Sequence, residues 1–286
     1  MSCGNALTVK PLLDAEQISS FYENWEESAV QRNWPHLQRK EIRVETKSGE
    51  FVSLNRLKSR LNFRSLKQLC TRIPPVHVYM SVLNWLKPER VGTKAESRRA
   101  YPVGGEYVLD LDHYLRYVSH GHRTEPEGFC YGCLGSIKEL TVRAIDAVLK
   151  NYCDVRVVFS GKRGFHIHVL DFEVRDWTRY EEHDPLRSHE VSRFLYSLEL
   201  QKQVSDLFDE SHFILSSDVT QVISYPESLN GESGLVCSYL GKPKEFNRMN
   251  VEDIIKKARQ QKHVKEAMNW TIAADWKNPR YNLLSP

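Results

Sequence analysis

The sequence predicts an α+β fold, with mixed sheets and flanking helices. Three observations predict it. Strand-like and helix-like runs are mixed without regular βαβ alternation. An apolar run ends in two aspartates at 110 and 112, and a strand–turn–strand unit spans 154–171. The chain of 286 residues, 41% hydrophobic and 27% charged, is long enough to bury a full core. An aromatic content of 10% excludes a disordered chain. No stretch approaches the roughly 18 uncharged apolar residues of a membrane span, so no membrane partner is expected. Met1 to Pro11 lacks the apolar core of a signal peptide, which predicts a cytoplasmic chain, nuclear if the source is eukaryotic.

Taken in order, Ile18, Phe21, Tyr22 and Trp25 recur at helical spacing and predict an amphipathic helix over 14–29. Residues 40–52 alternate around Gly49 as a hairpin, and 65–72 form a short helix ended by Pro74 and Pro75. Strands are expected at 77–83 and 107–112, with a polar turn over 87–99 between them. Residues 119–132, rich in Gly, His, Pro and Cys, read as irregular. A helix follows over 137–150, with Ile137, Leu140, Ile145, Val148 and Leu149 on its apolar side. Charged helical segments fill about 185–209, strand-like pieces return at 219–223 and 234–239, and a basic helix covers about 251–268.

The net charge of +3 is unevenly spread: residues 36–72 hold ten Lys/Arg against three Asp/Glu. That excess reads either as a solvated face or as contact with a polyanion. Arg56, Lys58, Arg60 and Arg64 are the candidate nucleic-acid contacts, and the thin interleaving of aromatics (Phe51, Phe63) favours phosphate contact over base stacking. Lys256, Lys257, Arg259, Lys262 and Lys265 either extend that track or form an ordinary helix face.

Asp110 and Asp112, two apart in a strand, place both carboxylates on one face. Adjacent carboxylates repel unless a cation lies between them, and oxygen ligands suit Mg²⁺ or Mn²⁺. The alternative is a solvated strand end. Ser160, Gly161, Lys162, Arg163, Gly164 and His166 occupy the turn between two strands. Glycines let backbone N–H groups approach an anion, Ser160 offers a hydroxyl, and Arg163 forks onto phosphate oxygens. The alternative is a basic hairpin turn. His120, His122, Cys130 and Cys133 offer four N/S ligands, enough to close a structural Zn²⁺ site with no open position for catalysis.

These motifs together resemble the small, catalytic subunit of archaeo-eukaryotic DNA primases, in the compact archaeal form. The resemblance runs from Phe21-Tyr22-Glu23-Asn24-Trp25 through Val108-Leu109-Asp110-Leu111-Asp112 and Cys130-x-x-Cys133. It continues through Phe159-Ser160-Gly161-Lys162-Arg163-Gly164-Phe165-His166 to Tyr225-Pro226-Glu227-Ser228-Leu229-Asn230-Gly231. It implies a single primase-type catalytic domain over 1–286, with a zinc knob inserted at about 113–135 and a small helical insert at about 172–209. It implies a replication enzyme that makes short primers on a single-stranded DNA template from nucleoside triphosphates. Asp110 and Asp112 would hold two Mg²⁺ or Mn²⁺ ions, and Ser160, Arg163 and His166 the triphosphate. A separate large subunit is the implied partner.

The third motif departs from the family pattern. The position of the third carboxylate falls on His212, with Asp218 as the alternative ligand and Asp209 or Glu210 within reach of a shifted loop. Ser224 and Asn230 stand at nucleotide-contacting positions where the family carries a basic residue and a histidine. The alternative function is therefore a catalytically silent, primase-like subunit that binds nucleic acid or nucleotide.

Overall fold

The computed structural model describes residues 13–32, 34, 37–58, 61–91, 100, 102–113, 129–170, 213–216 and 222–259. The first helix, α1 (Ala15–Glu23), starts at a capping box in which Asp14 and Gln17 exchange side-chain and backbone hydrogen bonds. It ends at Glu23, earlier than its apolar spacing predicts, because the Asn24 amide donates back to the Ser20 carbonyl. Trp25 lies beyond the helix, buried edge-on against Tyr225 and tilted over Phe63. A short α2 (Ala29–Arg32) follows.

Next come β1 (Lys40–Glu45) and β2 (Phe51–Ser53), the predicted hairpin, with Gly49 at φ 81° in its turn. A single turn, α3 (Leu54–Leu57), and α4 (Phe63–Arg72) lead into β3 (His77–Trp85). The strands β4 (Pro102–Gly105) and β9 (Val222–Ser224) both pair with β3, on the edge opposite β1. All four pairings of this first sheet are antiparallel.

The second sheet is also antiparallel throughout. It runs β10 (Tyr239–Gly241), β6 (Val155–Phe159), β7 (Gly164–Val169), β5 (Tyr107–His113), β8 (Phe213–Ser216). Odd-numbered residues of β5, β6 and β7 (Leu109, Leu111, Val157, Phe165, Ile167) pack against α5 (Tyr131–Val148), α6 (Pro243–Arg248) and α7 (Val251–Arg259). Even-numbered residues face the other way: Val108 and Val158 join Ile42, Val44, Val78 and Met80 of the first sheet in a second core with α1 and α4. Period-two alternation therefore sends Asp110, Asp112, His166 and His168 towards the first sheet.

Two expectations shift. The α5 helix begins at Tyr131, six residues before the predicted start, because Cys130 caps it: its Sγ accepts the Cys133 N–H at 3.5 Å. The strand expected over 234–239 is confined to Tyr239–Gly241; upstream, Val236 makes only an isolated bridge to Leu229. The helical insert at 172–209 lies outside the described residues. Among the described residues, no helix is long and apolar enough to cross a membrane.

Candidate active site

Across β5 and β7, Asp110 stands opposite His166 and Asp112 opposite Gly164. That register brings the acidic pair and the glycine turn together. It depends on Gly164 having no side chain: a Cβ there would collide with the Leu111 carbonyl oxygen and with Asp112 Oδ1. The turn is closed by the Gly164 N–H, which donates to Ser160 Oγ at 3.1 Å. Gly161, at φ 91°, approaches Asn230 so closely that a side chain would meet its Cβ at 2.9 Å.

Both carboxylates are half-buried, and Oδ1 of each is buried without a hydrogen-bond partner. Burial pushes the Asp110 carboxyl up to about 6, against the opposing pull of Arg163. Burial, then the Asp110 charge, pushes Asp112 up to about 6 as well, while Arg163, His166 and Lys162 pull it down. Arg163 Nη2 lies 3.9 Å from Asp112 Oδ2, and His166 Nε2 lies 3.4 Å from Asp110 Oδ1. Burial drives the His166 imidazole down to about 3, so at neutral pH it is an uncharged ring. Two oxygen-donor groups with orphaned buried atoms, repelling one another, fit a hard divalent cation.

Beside the carboxylates, Ser160, Ser224 and Asn230 line one narrow cleft with His77, Ser228 and Cys237. The sequence singled out the first three as candidate site residues; His77 and Ser228 lie in segments that carry the family resemblance but were given no role. Asn230 Oδ1 accepts the N–H groups of Glu232 and Ser233, so its carbonyl is spent on its own loop. Lys162 Nζ pairs with Glu232 at 2.7 Å. Lys162 is thereby turned towards Glu232 and partly neutralised.

The basic segment divides. Lys40 is buried against Glu106 at 2.8 Å, and Arg43 Nε pairs with Glu41 at 2.8 Å. Arg56, Lys58 and Arg64 are exposed, while Arg60 lies outside the described residues. Phe63 packs on Trp25 and belongs to the core, whereas Phe51 stays 60% exposed beside Tyr79. Cys130 and Cys133 share the first turn of α5, and both are buried; His120 and His122 lie outside the described residues. His212, Asp218, Asp209 and Glu210 also lie outside them. What is described is β8, registered on β5 with Ser216 opposite Asp110 and Ile214 opposite Asp112.

Residues 109–241, which hold the acidic pair, the glycine turn and most of the cleft, match the sequence model of the DNA primase small subunit. The DNA primase small subunit PriS of Pyrobaculum calidifontis is 27% identical over 246 residues, covering 77% of this chain and 76% of its own. That of Thermoplasma volcanium is 24% identical over 274 residues, 80% of this chain and 78% of its own. In fold, the chain is similar to the polymerase domain of Mycobacterium tuberculosis ligase D solved with DNA. The TM-score is 0.50 at 13% identity, over 100% of this chain and 99% of that one. The acidic pair set against the Ser160–His166 turn, and relatives alike across most of the chain, make this protein similar to the DNA primase small subunits of archaea.

Proposed function

We propose that the chain is a template-directed nucleotidyltransferase that builds short primers on single-stranded DNA from nucleoside triphosphates. The observation that carries this reading is the pair Asp110 and Asp112, each with a buried, unpartnered oxygen, facing a glycine turn with Arg163 beside them. A module that only bound phosphate would have no use for carboxylates at that place, since they repel the ligand.

In this reading Asp110 and Asp112 hold Mg²⁺ or Mn²⁺. Divalent ions bound there supply charge neutralisation for the transferring phosphoryl group and for the attacking oxygen. The chain's own residues do the rest. The turn from Ser160 to Gly164 receives the triphosphate, with backbone N–H groups and the Ser160 hydroxyl as donors. Arg163 neutralises the phosphate oxygens, and the uncharged His166 donates one hydrogen bond without adding charge. A primer 3′-oxygen forms the new bond to the α-phosphorus, the bond to the β-phosphate oxygen breaks, and pyrophosphate leaves. Positioning and electrostatics suffice for such a step. Exposed Arg56, Lys58 and Arg64 hold the template backbone, and a separate large subunit is the partner. Zn²⁺ is assigned to Cys130, Cys133, His120 and His122, which elemental analysis of the purified chain tests.

The deciding experiment is labelled nucleotide incorporation on single-stranded DNA with Mn²⁺ and with Mg²⁺, alongside Asp110→Asn/Asp112→Asn. Product that disappears in the variant supports catalysis. Absence of product in both metals, from folded protein, leaves the second reading: a binding subunit without catalysis. The capture of Lys162 by Glu232, and the use of Asn230 within its own loop, favour that reading.

A further inference from the structure

The carboxylate chemistry at Asp110 has a second layer beneath it that the sequence did not reveal. Glu106 precedes Asp110 by four residues, so alternation aims both towards the first sheet. Its Oε1 lies 2.8 Å from Lys40 Nζ and 3.5 Å from Trp34 Nε1, and its Oε2 lies 2.7 Å from His168 Nδ1. Lys40 Nζ also donates to the Val82 carbonyl at 2.6 Å. Lys40, Glu106 and His168 are 2%, 6% and 0% exposed.

Two charges and an imidazole so deeply enclosed cost desolvation that an apolar trio would not, and simple packing supplies no reason for them. Their position supplies one. His168 is two residues from His166 on the same face of β7, and the two rings stand edge to face with centroids 6.0 Å apart. Trp34 stands edge-on to His168 at 4.8 Å and closes the other side. Glu106, an ionised acceptor, requires the proton of His168 on Nδ1. His168 Nε2 is buried with no hydrogen-bond partner, as is His166 Nδ1. His166 turns its Nε2 towards Asp110 Oδ1, at 3.4 Å.

We propose that Lys40, Glu106 and His168 form a positioning relay: the buried ion pair fixes the tautomer and ring orientation of His168, and His168 in turn holds the His166 imidazole against Asp110. These are positioning residues, acting as carboxylates do behind histidines at metal sites. The catalytic consequence rests on the primase reading; the orientation of the two rings does not.

The test uses the full chain with ¹⁵N-labelled histidine. Long-range ¹H–¹⁵N correlation of the wild type is expected to show His168 protonated on Nδ1 and bare on Nε2. In Glu106→Gln, whose amide can donate as well as accept, both His168 and His166 ring signals are expected to move. Nucleotide incorporation at saturating nucleotide should then fall roughly 10–100-fold, the usual effect of removing such an outer partner. Single-stranded DNA affinity should stay within about twofold, because phosphate contacts from exposed cations carry it. If Glu106→Gln does not fold, His168→Asn replaces it: the Asn amide keeps a donor towards Glu106 but removes the ring, and His166 signals should still shift. A wild-type His168 protonated on Nε2, or His166 signals unmoved by these substitutions, overturns the relay. A variant that melts lower yet keeps its wild-type turnover also overturns it. A wild type with no incorporation at all sinks the primase reading instead and leaves the ring signals to decide the relay.

Discussion

His166 Nε2 stands 3.4 Å from Asp110 Oδ1, on residues placed directly opposite one another across β5 and β7. An uncharged imidazole there gives Asp110 little electrostatic relief, and Arg163 reaches only the outer carboxylate at 3.9 Å. The pair is therefore left with uncompensated negative charge, which is the basis for proposing a divalent cation there.

The first prediction concerns that cation. Mn²⁺ at millimolar concentration should raise the melting temperature of the wild type by several degrees, as any ligand of the folded state does. Asp110→Asn/Asp112→Asn should abolish the rise. Without metal the variant should melt above the wild type at pH 7.5, since carboxyls pushed up to about 6 oppose folding in their ionised form. Calorimetry at matched pH measures both; a metal shift retained in the variant would place the ion elsewhere.

Gly164→Ala tests the close approach of β7 to β5. The added Cβ meets backbone and Asp112 together, so the strands must separate. Loss of about 1–3 kcal/mol of stability is expected, the range for overpacking, with incorporation falling far more than DNA affinity. Denaturant titration and filter binding supply the two numbers.

Lys40→Met leaves Glu106 buried without its ammonium partner. Breaking a buried pair this way costs about 3–5 kcal/mol, and Lys40→Met/Glu106→Gln should recover part of that loss. A double-mutant cycle by urea unfolding gives the coupling.

Glu106 also predicts the acid limb of stability. Burial raises its carboxyl, but Lys40 and His168 override this and hold it at about 2, below the usual 4.5. A lowered acid contributes stability that is full above about 4.5 and is lost as pH falls towards 2. Glu106→Gln should flatten the stability profile in that window, read from melting temperatures between pH 5 and 2.5.

Arg64→Ala and Lys58→Ala should weaken single-stranded DNA binding without altering sequence preference. Each phosphate contact removed should lower the slope of log affinity against log salt by about 0.7. A slope unchanged in the double variant would move the template path off this face.

The strands and the turn that carry the candidate site were legible in the sequence. Asp110 and Asp112 on one strand face, and the glycine turn, follow from period two and from the conformational needs of a tight turn, both local properties of a few consecutive residues. The helix boundaries at Glu23 and Tyr131 were not readable from apolar spacing, because single capping contacts from Asn24 and Cys130 set them. The basic stretch misled at Lys40: a charge count treats it like Arg64, yet one is buried on Glu106 and the other faces solvent.

By itself, then, the sequence determined which residue types sit on which strand and on which side of it, and so the chemistry the chain can carry. Only the tertiary structure decided which groups are partnered: Lys162 with Glu232, Glu106 with Lys40 and His168, and Asp110 and Asp112 each with an oxygen left bare. Those partners come from segments 62 to 70 residues apart. Partnering at that range depends on how two sheets close over one another, and no local pattern encodes it.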